Sequence, residues 1–378
     1  VRPLEDVVGG AVRRTPHGSF LVAERRHALA AAHGRVVLAE ALSHPIPLRA
    51  RERGPDGRDH VDLRAAVFLD TETTGLSGGT GTVAFLVGVG RVEGEHFVVR
   101  QYCMRDFPEE AALLHGLMED VGDAPLVTFN GRCFDWPLLT TRLRLHRFRP
   151  RPRPHLDLLP PARRLWAGSA PSHSLTALER HVLGLERADD LPGWRIPEAW
   201  FHYLRTGESG TVARAFRHNE LDVVSMLALV GRVGAILREP AATLAPSPRD
   251  HLGTARLLAD LGNLEGARRC LEAGLAHAPP RGPEERSLLR PLGHLLRRLG
   301  EPEAAAERWT RVARCAPEFE ARAYEEVAKL HEYRLRDLRA ALRWSEEALS
   351  RAVPGTAVHR AFERRAARLR GKVAAKAT

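Results

Sequence analysis

"VFLDTETTGLSGGTGT", residues 67–82, sets two carboxylates inside what otherwise has the pattern of a buried strand. Asp70 and Glu72 are two positions apart, and a β-strand points alternate residues to one face. Two like charges aimed at one spot repel each other. Desolvating them is costly unless something positive lies between them. An edge strand whose polar face meets water is one explanation, and a cation site is the other. Taken alone, the stretch leaves both open.

Composition narrows the field. At 378 residues, with 44% hydrophobic and 28% charged residues, the chain has the makeup of a globular protein long enough for two domains. Its net charge of +10 points to a polyanionic partner, nucleic acid first, although a coding bias toward arginine would raise the charge equally. The four cysteines (Cys103, Cys133, Cys270 and Cys315) form no CxxC pair. That argues against a zinc site of the usual spacing and against a disulfide framework, and it fits a cytoplasmic setting. No stretch approaches the roughly 18 consecutive apolar residues of a membrane helix, so no membrane partner is expected. The opening "VRPLEDVVGGAVRR" lacks the apolar centre of a signal peptide.

Four zones separate along the chain. Residues 1–62 read as an N-terminal extension with one β-like piece, "SFLVAERR" (19–26). Residues 63–238 read as an α/β domain. "AAVFLDTE", "VAFLVGVGRV" and "HFVVRQYCM" are strands, the last two joined by a hairpin at "RVEGEH". The helix "PEEAALLHGLMEDV", the strand "APLVTFN" and the helix "WPLLTTRLRLH" follow, which together predict a mixed sheet flanked by helices. Residues 246–350 repeat internally: Ala255, Gly262, Ala267 and Pro279 recur as Gly293, Gly300, Ala305 and Pro317, at the same intervals of seven, five and twelve. A looser third copy carries Ala328, Ala341 and Ala348. The pattern resembles the tetratricopeptide repeat, in which small residues let paired helices pack closely, and it implies a protein-binding surface or, alternatively, a unit that packs on the α/β domain and shapes its substrate channel. Residues 351–378 read as a basic tail.

Three further segments bear on the opening carboxylates. In "LVTFNGRCFDWPLL" (126–139) a strand runs into Asn130 and then Asp135, with Pro137 in a first helical turn. An N-cap is the ordinary reading of Asp135. In "RHNELDVVSMLALV" (217–230) His218 and Asp222 are four apart and share a helix face. In "HLDLL" (155–159) Asp157 is flanked by leucines and reads as structural or peripheral. Four carboxylates can converge only around divalent cations, and hard oxygen ligands suit Mg²⁺ or Mn²⁺. The chemistry of such a cluster is two-metal phosphodiester hydrolysis, with His218 as a general base.

The order "FLDTETTGL", "FNGRCFD", "HNELD" resembles the three exonuclease motifs of the DEDD (DnaQ-like) 3′–5′ exonuclease superfamily, on a ribonuclease-H-like fold. Within it the chain is most similar to the YprB-like proteins, with the Asn-Gly before Phe-Asp, "IPEAWFHYLRTGE" (196–208) and the C-terminal repeats as further points of likeness. The resemblance implies Asp70, Glu72, Asp135 and Asp222 as ligands of two divalent cations and His218 as base or water-orienting residue. It implies Thr73, Thr74, Gly75 and Leu76 as the seat of a 3′-terminal nucleotide, with Asn130 and Phe134 facing the strand. The four-residue His–Asp interval departs from the histidine subgroup, where the interval is five, and matches the tyrosine subgroup. The expected function is a 3′–5′ exonuclease on single-stranded DNA or RNA. The alternative is a non-catalytic nucleic-acid-binding module with a protein-interaction domain. Two decoys fall away: "GLSGGTGT" lacks the Gly-Lys-Ser/Thr ending of a phosphate loop, and "GVGRVEG" sits in a hairpin rather than a strand-to-helix turn.

Overall fold

The computed structural model describes residues 2–43, 45–75, 81–240, 244 and 246–376. The chain divides into two compact units, Val1–Arg163 with Ala170–Arg238, and Arg164–Ser169 with Glu239–Thr378.

The first unit is built on a seven-stranded sheet. Its strands are β1 (Gly10–Thr15), β2 (Gly18–Ala28), β3 (Val67–Thr73), β4 (Ala84–Glu93), β5 (His96–Cys103), β6 (Leu126–Thr128) and β7 (His155–Asp157). Their order is β1-β2-β5-β4-β3-β6-β7. Pairing is antiparallel from β1 to β3 and parallel across β3, β6 and β7, so the sheet is mixed. Two elements differ from expectation. The N-terminal segment supplies two strands to this sheet where one β-like piece was expected, and β7 forms within "HLDLL", where no strand was expected. β7 is three residues long and follows a proline-rich run, too short for a periodicity to show.

The helices of this unit are α1 (Leu4–Val8), α2 (Glu110–Val121), α3 (Asp135–Leu145), α4 (Leu159–Leu165), α5 (Leu175–Leu178), α6 (Ile196–Thr206) and α7 (Ser209–Arg238). In β3, Val67, Phe68 and Leu69 are all buried, because the strand is covered on both faces. Phe85 of β4 stacks on Trp200 of α6 at 5.0 Å. Gly88 and Gly90 of "GVGRVEG" serve packing. A Cβ on Gly88 would lie 2.3 Å from Asn219 of α7, and one on Gly90 would lie 2.3 Å from Phe97. The three parallel strands end on one side of the sheet, the edge where open α/β folds place ligands. That edge carries Asp70 and Asn130.

The second unit is helical, with α8 (Pro248–Asp260), α9 (Leu264–His277), α10 (Pro283–Leu299), α11 (Pro302–Cys315), α12 (Ala321–Tyr333), α13 (Leu338–Arg351) and α14 (Ala357–Ala375). Each packs on the next in sequence through short turns, the arrangement of a helical repeat. Of the repeated small residues, Gly293 lets helices approach, since a Cβ there would lie 2.5 Å from the Trp309 indole, whereas Gly262 and Gly300 have open space around them at positive φ. The segment read as a basic tail contains α14, which buries Phe362, Ala366 and Leu369. No described helix is long and apolar enough to cross a membrane.

Candidate active site

β3 delivers Asp70 and Glu72 to one face, and its register with β4 shifts between Glu72 and Thr73. Such irregularities end a ladder and re-aim the side chains beside it. Asn219 of α7, fully buried, donates from Nδ2 to Asp70 Oδ2 at 2.8 Å. Gln101 of β5 holds Asn219 in turn, donating to its Oδ1 at 2.9 Å and to the Phe216 carbonyl at 2.7 Å. The absence of a side chain at Gly88 lets Asn219 through to the strand.

Asp135 is the first residue of α3 and is buried. Phe134 occupies the N-cap position and makes no capping bond, so Asp135 is not the N-cap. Its carboxylate instead accepts the Thr71 hydroxyl from β3. Burial pushes the Asp135 carboxyl up to about 6, against the lowering effect of that bond. Asp70 and Glu72 are held well above the ordinary carboxylate range. Burial is the larger cause for both. Repulsion from Asp222 and Asp135 adds to it for Asp70, and from Asp70, Asp222 and Asp135 for Glu72. The fold therefore brings the four carboxylates within range of one another.

α7 places His218 and Asp222 one turn apart, with His218 Nε2 3.6 Å from Asp222 Oδ2. The other ring nitrogen, Nδ1, lies 2.9 Å from Asp190 Oδ1. An ionised carboxylate only accepts, so Nδ1 donates to Asp190 and Nε2 is the ring nitrogen turned toward Asp222. Arg187 lies beneath this pair. Its guanidinium donates to Asp222 and Asp190 and forks onto Glu179, through Nε at 2.7 Å and Nη2 at 2.6 Å. Glu179 also accepts the Ser225 hydroxyl, and Ser225 meets His33 Nε2 at 2.7 Å. The N-terminal segment thus buttresses the site as well as the sheet.

Asp70 and Asp222 line a cavity of about 610 Å³, together with Asn130 and Phe129 at the end of β6. Glu72, Asp135 and Phe134 are not part of its wall. Asn130 adopts a positive φ of 66° and is exposed. Asp157 fixes this turn, accepting the backbone N–H groups of Asn130 (2.8 Å), Arg132 (3.1 Å) and Leu159 (3.0 Å). The Thr73 and Thr74 hydroxyls are engaged in their own turn: Thr73 donates to the Gly75 carbonyl at 2.8 Å, and Thr74 accepts the Val83 N–H at 3.0 Å. Leu76 lies outside the described residues.

The residues missed from sequence are Arg187, Glu179, Asp190, Asn219, Gln101 and Thr71. "ERADDLPG" (186–193) has the look of a solvated loop, and no spacing there announces a buried guanidinium. Asn219 had a signal, since it lies between His218 and Glu220 in a helix that also carries Asp222.

As donors, four carboxylates suit a hard divalent cation. Among the described residues no three His, Cys, Asp or Glu side chains stand arranged to hold a metal ion. Asn219, Thr71 and Arg187 hold Asp70, Asp135 and Asp222 respectively. The donor chemistry fits a cation, and each of these partners engages one oxygen of its two-oxygen carboxylate.

The RNase H superfamily model matches residues 67–233. The uncharacterized protein YprB of Bacillus subtilis (strain 168) is 40% identical over 165 residues, 43% of this chain and 40% of that protein. The chain thus matches about two fifths of the length of that relative. Among solved structures, the family B DNA polymerase from the hyperthermophilic archaeon Pyrobaculum calidifontis is similar over 74% of this chain and 51% of the polymerase. It shares 13% identity at a TM-score of 0.37.

Proposed function

We propose, from the match of residues 67–233 to the RNase H superfamily model, that the chain is a metal-dependent nuclease, a 3′–5′ exonuclease on single-stranded DNA or RNA. The observation that carries the reading is the convergence of Asp70, Glu72, Asp135 and Asp222, with Asp222 and Asp135 raising the cost of ionising both Asp70 and Glu72, beside an imidazole held by Asp190. Mutual repulsion of this kind is a burden to a fold without a cation to relieve it.

Asp70, Glu72, Asp135 and Asp222 would hold two Mg²⁺ or Mn²⁺ ions, which when bound supply the Lewis acidity for activating water and stabilising the leaving oxygen. The chain's own residues do the rest. Asn219 aims Asp70, Thr71 aims Asp135, and Arg187 sets the position of Asp222. His218, with Nδ1 tied to Asp190, offers Nε2 to take a proton from the attacking water. Asn130, held by Asp157, sits at the cavity mouth to meet the strand. The helical repeats are assigned to a protein partner.

The test is incubation with end-labelled single-stranded DNA and RNA of matched sequence in Mg²⁺ or Mn²⁺. A ladder shortening from the 3′ end is expected, abolished by Asp70→Ala. Full activity in Asp70→Ala overturns the ligand assignment. A second reading, a non-catalytic nucleic-acid-binding module, is favoured by the Arg187 contact on Asp222. It takes over if the protein binds oligonucleotides and shortens none with either metal.

A further inference from the structure

The wall of the 610 Å³ cavity contains a segment that none of the sequence motifs singled out. Leu159 and Arg163, four apart on α4, both face it, and so does the turn running from Pro171 into α5. Three features of this wall differ in character. Asp70 and Asp222 make one side anionic. Phe129, Leu159 and Leu175 make another apolar. Arg163 is the one arginine or lysine among the described residues of the wall.

The state of Arg163 matters more than its presence. Arg187 is consumed by three carboxylates, and Arg132 donates to the His155 carbonyl at 3.3 Å. The Arg163 side chain is exposed and makes no hydrogen bond or ion pair among the described residues. A planar five-donor fork left unpaired at the mouth of an anionic cavity is suited to an anion that must approach those carboxylates. Nearby, Ser172 Oγ accepts the Ser174 N–H at 3.3 Å, which leaves its own hydrogen to donate.

We propose that Arg163 is the phosphate anchor of this cavity. It binds a phosphodiester of a single-stranded nucleic acid, while an unpaired base of the same strand rests on Phe129, Leu159 and Leu175. Ser172 adds a neutral donor to the same backbone. The inference rests on the nuclease reading for its choice of anion, and it can be tested without turnover. Its volume of about 610 Å³ is in the size range of small-ligand sites.

The experiment is fluorescence anisotropy with a 5′-labelled single-stranded oligonucleotide in Ca²⁺, over a series of NaCl concentrations, on the full chain and on Arg163→Gln and Arg163→Lys. Arg163→Gln should bind about tenfold more weakly. The slope of log Kd against log salt should fall by about 0.7, the share of one phosphate contact on a single strand. Arg163→Lys should keep the wild-type slope, because the charge remains while the fork is lost. Unfolding curves should coincide for all three, since Arg163 is exposed. Unchanged affinity and slope in Arg163→Gln overturn the proposal, and so does absence of binding by the wild-type chain. A nucleoside 5′-monophosphate that competes as well as the oligonucleotide also overturns it, in favour of a free nucleotide. The nuclease reading fails separately. If Arg163→Gln shows these losses and yet no strand is shortened in Mg²⁺ or Mn²⁺, the anchor stands and catalysis does not.

Discussion

The Arg187 guanidinium donates to the Asp222 carboxylate while forking onto Glu179, so one buried cation links a candidate ligand to the protein interior. A buried charge stripped of its partner is far more costly than the pair is favourable. Arg187→Met should therefore lower stability by about 3–5 kcal/mol, with Glu179 and Asp222 left uncompensated. Urea unfolding measures the loss. Adding Glu179→Gln should recover part of it, and strict additivity of the two changes would show that they do not interact.

Asp70 should behave in the opposite way. Its carboxyl is burdened by burial and by Asp222 and Asp135. Asp70→Asn removes one charge from that cluster and keeps an oxygen for the Asn219 amide. In EDTA its melting temperature should rise by a few degrees. Added Mn²⁺ should stabilise the wild type and do much less for the variant, because ligand binding to the folded state raises stability by mass action. A variant that melts lower in EDTA would show that Asp70 is not under repulsion.

Asp190 acts through His218. Asp190→Ala removes the acceptor at Nδ1, so the ring loses its fixed orientation. In the nuclease assay kcat should fall on the order of a hundredfold with KM little changed. A rise in KM at constant kcat would place the residue in substrate binding instead.

The helical unit has its own acid dependence. Glu332 of α12 accepts from Arg368 and Lys372 of α14, which lowers its carboxyl from 4.5 to about 2. A depressed carboxyl stabilises the fold fully above its unfolded value and loses that contribution as pH falls toward the folded one. Wild type should exceed Glu332→Gln in melting temperature at pH 7, and the gap should close between pH 4.5 and pH 2. A gap independent of pH would mean that the pair contributes through packing rather than charge.

The alternation of β3, the one-turn interval of His218 and Asp222, and the hairpin at "RVEGEH" were legible because each follows a local period. What escaped was whatever depends on tertiary approach. Arg187 and Asp190 come from a loop with no period, and Gln101 looks like any polar residue on a strand. Gly88 looked like half of a nucleotide motif, and its role appears only when Asn219 arrives from a helix 131 positions on. Asp157, flanked by leucines, reads as structural or peripheral in the sequence, which does not say what it holds.

What Asp157 holds has a mechanical consequence. One carboxylate fastens the turn after β6 to the start of α4, so Asn130 and the helix bearing Arg163 are riveted to a common post. A guest entering between them meets a mouth whose width was set during folding. The entropy of ordering that rim is spent before the guest arrives, leaving more of the contact energy to appear as affinity.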